Sequence, residues 1–142
     1  MIINSIGTTR RVEVYDDKVR KICYENFKYA NEQEYNNYKK YKNIEPKIVN
    51  NIISFENNII EAEKCITLKE FFISIGIQIK SISNCYMDDL FLHIYSEIGD
   101  LLNYREKRRI LLDSELDFDE FQYPDNWGIT KEGELVLLDY SR

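Results

Sequence analysis

Apolar and polar residues alternate with a period of two in some stretches of this chain and a period of three to four in others, and the changes of period divide it. Val12 and Val14 alternate with Arg11 and Glu13, and the alternation resumes over residues 18–23 after the acidic pair Asp16-Asp17, which predicts a hairpin. Residues 28–42 contain no Gly or Pro and space Tyr35, Tyr38 and Tyr41 as a helix does. Three β-branched runs follow, Ile48-Val49, Ile52 to Phe55 and Ile59 to Lys64, parted by corners at Asn50-Asn51 and Asn57-Asn58. They predict further strands, and with the hairpin an antiparallel sheet of about five. Thr67-Leu68-Lys69-Glu70 is a capping box opening a short helix through Ile75 that Gly76 ends. From about Asp88 to Asn103 the recurrence of Leu90, Ile94, Ile98, Leu101 and Leu102 predicts one long amphipathic helix. Ile129 and the run Leu135 to Leu138 flank the polar corner Lys131-Glu132-Gly133, a second hairpin, which that helix is expected to support. The fold class is therefore α+β, with an N-terminal antiparallel sheet plus one helix in residues 1–65 and a mostly helical half, residues 66–142, ending in a β-hairpin.

A chain of 142 residues fits one domain or two small lobes sharing a cleft, and can bury a core without disulfides. Cys23, Cys65 and Cys85 are odd in number and lack CxxC spacing, so neither a disulfide framework nor a zinc site is indicated, and a reducing cytoplasm is the expected compartment. No run approaches a membrane span and no signal-peptide pattern opens the chain, so no membrane association is expected. The net charge of −6 argues against nucleic acid as a partner, since phosphates repel an acidic surface. Arg105, Lys107, Arg108 and Arg109 form a basic cluster, but Asp113, Glu115, Asp117, Asp119 and Glu120 follow at once, which favours local pairing or a solvated bend. Eleven Tyr and seven Phe suit broad interfaces as well as a core, and an AT-rich genome accounts for the Tyr surplus equally well.

The candidate chemistry lies in Pro124 to Arg142. Asn126 precedes the first strand of the terminal hairpin and Asp139 follows the second, so both stand at its open end, where an amide oxygen and a carboxylate could share one hard cation. This segment resembles the catalytic loop and metal-binding strand of protein-kinase-like phosphotransferases. In that family a loop Asn and an Asp-aromatic-Gly triplet hold the metals, and a catalytic Asp lies five residues before the Asn. Asn126 and Asp139 match as metal residues; position 121 is Phe, the acids Asp119 and Glu120 are out of register, and Ser141 replaces the triplet glycine.

The resemblance implies roles elsewhere. Gly7 matches the first glycine of the phosphate-covering loop, while Thr8, Thr9 and two arginines stand where the later glycines belong. Lys21 matches the phosphate-binding lysine, Glu34 its helix partner with Glu32 as competitor, and residues 61–65, with Glu63 and Cys65, the hinge whose backbone receives adenine. ATP and Mg2+ are the implied cofactors. The chain stops three residues after Asp139, without the helices that support a kinase's catalytic lobe, so apolar surface under the hairpin and the 88–103 helix is expected to be covered by a second copy in a two-fold homodimer or by a target protein. The expected function is a pseudokinase from a phage or mobile element that binds and inhibits a host protein, in the manner of an anti-CRISPR or other anti-defence inhibitor. The alternatives are a minimal ATP- and Mg2+-dependent phosphotransferase with Asp119 or Glu120 as base, and a toxin-immunity protein.

Overall fold

The computed structural model describes residues 3–6, 9–78 and 82–142. The protein is α+β. Strands β1 (Ile3–Ile6), β2 (Arg10–Val14), β3 (Lys18–Cys23), β4 (Ile52–Glu56) and β5 (Ile59–Glu63) form an antiparallel sheet in the order β1-β2-β3-β5-β4. The β2–β3 turn falls at Asp16-Asp17, closed by the Tyr15 N–H on the Lys18 carbonyl at 2.9 Å. The β4–β5 turn places Asn57 and Asn58 at φ 52° and 58°, the left-handed pair that a tight hairpin turn demands and that Asn tolerates. Helix α1 (Ala30–Tyr41) buries Ala30, Asn31, Glu34 and Tyr41, one stripe at helical spacing, and packs across β3, β4 and β5.

Two expectations for the first half are corrected. Strand β1, flanking the first hairpin, was not anticipated. Ile48-Val49 is not a strand of this sheet, and Asn50-Asn51 is not a hairpin corner. Instead the pair is fully buried beside the terminal hairpin: the Leu137 N–H donates to the Ile48 carbonyl and the Asn50 N–H to the Leu137 carbonyl, both at 2.9 Å. The apolar pair therefore bridges to Leu137 at the edge of β8 and fills the core there, away from the N-terminal sheet.

In the second half, β6 (Ile66–Thr67), β7 (Trp127–Ile129) and β8 (Leu135–Leu137) make a small antiparallel sheet, and Gly133 takes φ 85° in the β7–β8 corner. The capping box forms as expected at the start of α2 (Leu68–Ser74). The long helix expected over 88–103 does not. Asp89–Ile94 is a π-helical stretch, closed by the Tyr95 N–H on the Leu90 carbonyl at 2.7 Å, and Tyr95 at φ −120°, ψ 50° separates it from α3 (Ser96–Leu101). The widened turn lets Gly99 press against Phe91, where a Cβ would come within 2.2 Å of the Phe91 carbonyl oxygen. It also shifts the phase of the apolar stripe. Leu90, Phe91 and Leu102 are buried, but Ile94 is 62% and Leu101 86% exposed.

Asn103 at φ 59° turns the chain into α4 (Tyr104–Leu112), where the sequence suggested local pairing or a solvated bend. Its buried residues Tyr104, Lys107 and Leu111 follow helical spacing, and Tyr104 and Lys107 lie against the terminal hairpin. The Tyr104 and Trp127 rings are 6.0 Å apart, and Lys107 Nζ donates to the Leu135 carbonyl at 2.5 Å. Helix α4 therefore supports the hairpin, and of the apolar surface expected under the hairpin and the 88–103 segment the first is covered, every residue of β7 and β8 being buried, while the second leaves Ile94 and Leu101 exposed. The four-residue α5 (Phe118–Phe121), capped by Asp117, leads to β7. One hydrophobic cluster draws on both halves, with Ile48, Ile60 and Ala62 packed with Phe72, Trp127 and Tyr140. Among the described residues no helix is long and apolar enough to cross a membrane.

Candidate functional site

The first residue of β2, the middle of β3, the second turn of α1 and the exit of β8 meet at one place. Strand parity sets Arg10 in phase with Val12 and Val14, and helical spacing puts Glu34 on the stripe of α1 that faces the sheet. Arg10 is 3% exposed and Glu34 0%. Lys21 Nζ lies 2.8 Å from Glu34 Oε2, so Glu34 rather than Glu32 meets the lysine. Arg10 grips the same carboxylate with both terminal nitrogens, Nη1 to Oε2 at 3.0 Å and Nη2 to Oε1 at 3.2 Å, and the Tyr140 N–H donates to Oε1 at 2.9 Å. Arg10 Nη2 also reaches Asp139 Oδ1 at 2.9 Å. Asn31 braces the cluster, accepting from Arg10 at Oδ1 and donating from Nδ2 to the carbonyls of Lys21 and Asn58. Two cations and two carboxylates thus form a neutral network, buried at Arg10, Lys21 and Glu34 and half-exposed at Asp139.

Burial opposes the charge on Arg10, but Glu34 and Asp139 outweigh it and raise its pKa. Burial likewise works to raise Asp139, yet the charges of Arg10 and Lys21 with the Ser141 N–H hold its carboxyl well below the usual carboxylate range.

Asn126 and Asp139 do converge at the open end of the hairpin, but through the backbone. Asn126 Oδ1 accepts the Asp139 N–H at 2.8 Å, and its Nδ2 donates to the carbonyls of Asp139 and Glu120, both at 2.5 Å. The Asp139 carboxylate turns away, towards Arg10 and the Ser141 hydroxyl at 3.0 Å. This donor set does not fit Mg2+: the amide oxygen is taken by an N–H, and a guanidinium already stands against the carboxylate. Among the described residues, no group of three or more His, Cys, Asp and Glu could hold a metal ion.

Of the two candidate bases, Asp119 is exposed on α5. Glu120 is buried; its Oε1 accepts from Arg142 Nε at 2.8 Å while Oε2 has no hydrogen-bond partner. Burial and the neighbouring Asp139 charge push its pKa up to about 7, against the pull of Arg142. Phe121 is buried beside it, and its carbonyl receives the Trp127 indole N–H at 3.1 Å.

Beside the ion network lies a cavity of about 540 Å³ between the β2–β3 hairpin, the 63–65 segment and Leu138. Val12, Val14 and Val19 supply one wall. Its charged lining is Arg10, Lys21 and Lys64 against Glu63, Glu70, Asp125 and Asp139, three cations to four anions. Glu63 and Cys65 border the cavity. The Glu63 carbonyl accepts from Asn50 Nδ2 at 2.7 Å, and the Cys65 thiol, pushed up to about 11 by burial, rests on Asn50 Oδ1 at 3.2 Å. Gly7 lies outside the described residues.

Sequence reasoning missed Arg10, Asn31 and the Tyr140 N–H. Arg10 was accessible by parity, since of two successive strand arginines the one in phase with Val12 and Val14 must enter the apolar face. No protein-family model, curated protein or solved structure matches this chain.

Proposed function

We propose that this chain is a kinase-like pseudoenzyme that acts by binding a protein partner and not by transferring phosphate. The observation that carries this is Arg10: its guanidinium spans Glu34 and Asp139, and supplies from within the chain the positive charge that a nucleotide-bound metal would bring. The Lys21–Glu34 pair and the Asp139 position suit a kinase-like ancestry; the arginine between them suits the loss of catalysis. Removing one partner from a buried ion pair costs about 3–5 kcal/mol, so Arg10 does not give way readily to a hydrated cation. Phosphates would enter a cavity whose charged lining is one anion in excess. A positioned general base contributes about 10²–10⁴-fold, and its family position holds Phe121, buried and packed. The net charge of −6 and the exposed rings of Tyr86, Phe118 and Tyr123 favour binding a host protein, with the protein acting as a phage or mobile-element inhibitor of a defence complex.

The test pairs nucleotide binding with phosphotransfer. A MgATP site at 100-fold saturation would add about 2.7 kcal/mol of stability; the expected result is no shift in the melting temperature with MgATP or with chelator, no labelled phosphate on any acceptor, and recovery of a host protein by the tagged chain. Phosphate transfer that Asp139→Ala abolishes would overturn the proposal.

One observation favours the minimal phosphotransferase instead. A buried carboxyl with its pKa near 7, as in Glu120, is what a general base at neutral pH requires. That reading needs Arg142 and Arg10 both to swing away. It predicts that Glu120→Gln removes phosphotransfer.

A further inference from the structure

A second cavity, of about 380 Å³, is lined by the 86–93 segment, α4 and α5. Tyr86, Tyr104, Phe118 and Phe121 wall it, and Asp88 and Asp89 enter it. Tyr104 and Phe121 belong to the core and form the floor. Tyr86 and Phe118 are 45% and 47% exposed, and Tyr123 extends the patch, its ring 5.3 Å from that of Tyr86. Phe118 stands edge-on to Phe121 at 5.2 Å. These outer rings add little to the core, and exposed aromatic groups in one patch mark interaction surfaces.

We propose that this cavity anchors a cationic side chain, arginine or lysine, of a basic segment on the partner protein. The inference rests on the reading that the chain works by binding. Aromatic faces carry negative charge density and attract an ammonium or guanidinium laid over them, and carboxylates beside them supply its counter-charge. A carboxylate of this cavity already holds a guanidinium: Arg108 Nε donates to Asp88 Oδ1 at 2.8 Å, and the Tyr104 hydroxyl donates to the same oxygen at 2.6 Å. Asp89 is exposed, and the exposed Asp117 and Asp119 flank Phe118, so with Asp88 the acids around the cavity outnumber Arg108 and His93 together. An apolar occupant would strip water from those carboxylates without replacing it; a phosphate group would meet like charge. A cation satisfies both.

The test uses the full chain and a short capped peptide carrying arginines between glycines and serines, with a matched peptide in which citrulline, the same shape without the charge, replaces each arginine. Titration at physiological ionic strength should show saturable binding of the arginine peptide and a loss of about tenfold or more for citrulline. Phe118→Ala should weaken the arginine peptide by about two- to thirtyfold, and Asp89→Asn by about two- to fivefold. Both side chains are exposed, so unchanged melting temperatures would show that the variants fold. Glu32→Gln, an exposed acid on α1, should leave binding unaltered. Equal binding of the two peptides, an equal loss in Glu32→Gln, or no saturable binding would overturn the proposal. Those results would leave the pseudoenzyme reading standing, whereas detected phosphotransfer would remove that reading whatever the peptides do.

Discussion

Glu120→Gln turns one buried carboxyl into a measurable slope of stability against pH. In the unfolded chain this group titrates near 4.5, and in the folded protein burial and the Asp139 charge raise it to about 7. Below pH 4.5 both states hold the proton, and the group's contribution to stability is fully present. As pH climbs towards 7 the unfolded chain loses its proton first, so the unfolded state is favoured and the free energy of unfolding falls; well above 7 the loss is complete. A gap of about 2.5 pKa units at about 1.36 kcal/mol each gives about 3 kcal/mol, a large share of a domain's roughly 5–15 kcal/mol. The window is clean. Asp139, held below the usual carboxylate range, adds stability that is present above about pH 4 and lost only as pH falls further, and Lys107, pushed down to about 8 by burial, acts at higher pH. The assay is urea denaturation at constant ionic strength, with midpoint and slope recorded from about pH 4.5 to 8. The native chain should lose about 3 kcal/mol across that range, and Glu120→Gln less than about 1 kcal/mol. The glutamine places an amide N–H where Oε2 lacks a partner, which shifts absolute stability about equally at every pH, so the slope is the readout. An unchanged slope in the variant would refute the assigned burial of Glu120 and the part given to Asp139.

Arg10→Ala should cost about 3–5 kcal/mol in chemical denaturation, because it leaves Glu34 and Asp139 facing Lys21 alone. Arg10→Lys should recover only part of this, since an ammonium cannot span two carboxylates as the planar fork does. Lys107 releases its proton near pH 8 when folded and near 10.5 when unfolded, so stability should rise with pH through that interval, against an opposite drift from Cys65 above 9; in Lys107→Met the rise should vanish from the denaturation midpoints. Gly99→Ala should lower stability by about 1–3 kcal/mol in thermal melts, as its Cβ would collide with the Phe91 carbonyl oxygen at 2.2 Å. Asn126→Ala frees two carbonyls and one N–H at the hairpin mouth; hydrogen exchange at the Asp139 amide should quicken by a factor matching about 1–3 kcal/mol.

Local chemistry made much of this fold legible. The Asn57-Asn58 turn, the capping box at Thr67 and the Gly133 corner each depend on side chains within a few residues, and each formed where expected. The 88–103 segment went wrong because its heptad-like apolar spacing hid a π turn, and the close contact that demands the turn, Gly99 on Phe91, is visible only in three dimensions. Helix α4 is hard to see because four basic residues followed by acids suggest local pairing or a solvated bend and mask the Tyr104, Lys107, Leu111 stripe, in which the lysine stem counts as apolar and its tip finds a carbonyl. At the site, Lys21, Glu34 and Asp139 carried enough type and order to be named. The use made of Asn126 was hidden, since an amide that braces a backbone and one that holds a cation look alike in sequence.

The seating of Ile48 to Asn50 along β8 bears on how this molecule avoids sticking to itself. A terminal hairpin usually leaves one rim of amides and carbonyls bare, a template on which another chain can add a strand. Here that rim is occupied from within, the Leu137 N–H and carbonyl both being spoken for by the earlier segment. A lesion that dislodged this segment would therefore loosen the packing and also uncover an adhesive margin, so its first symptom should be aggregation rather than simple unfolding.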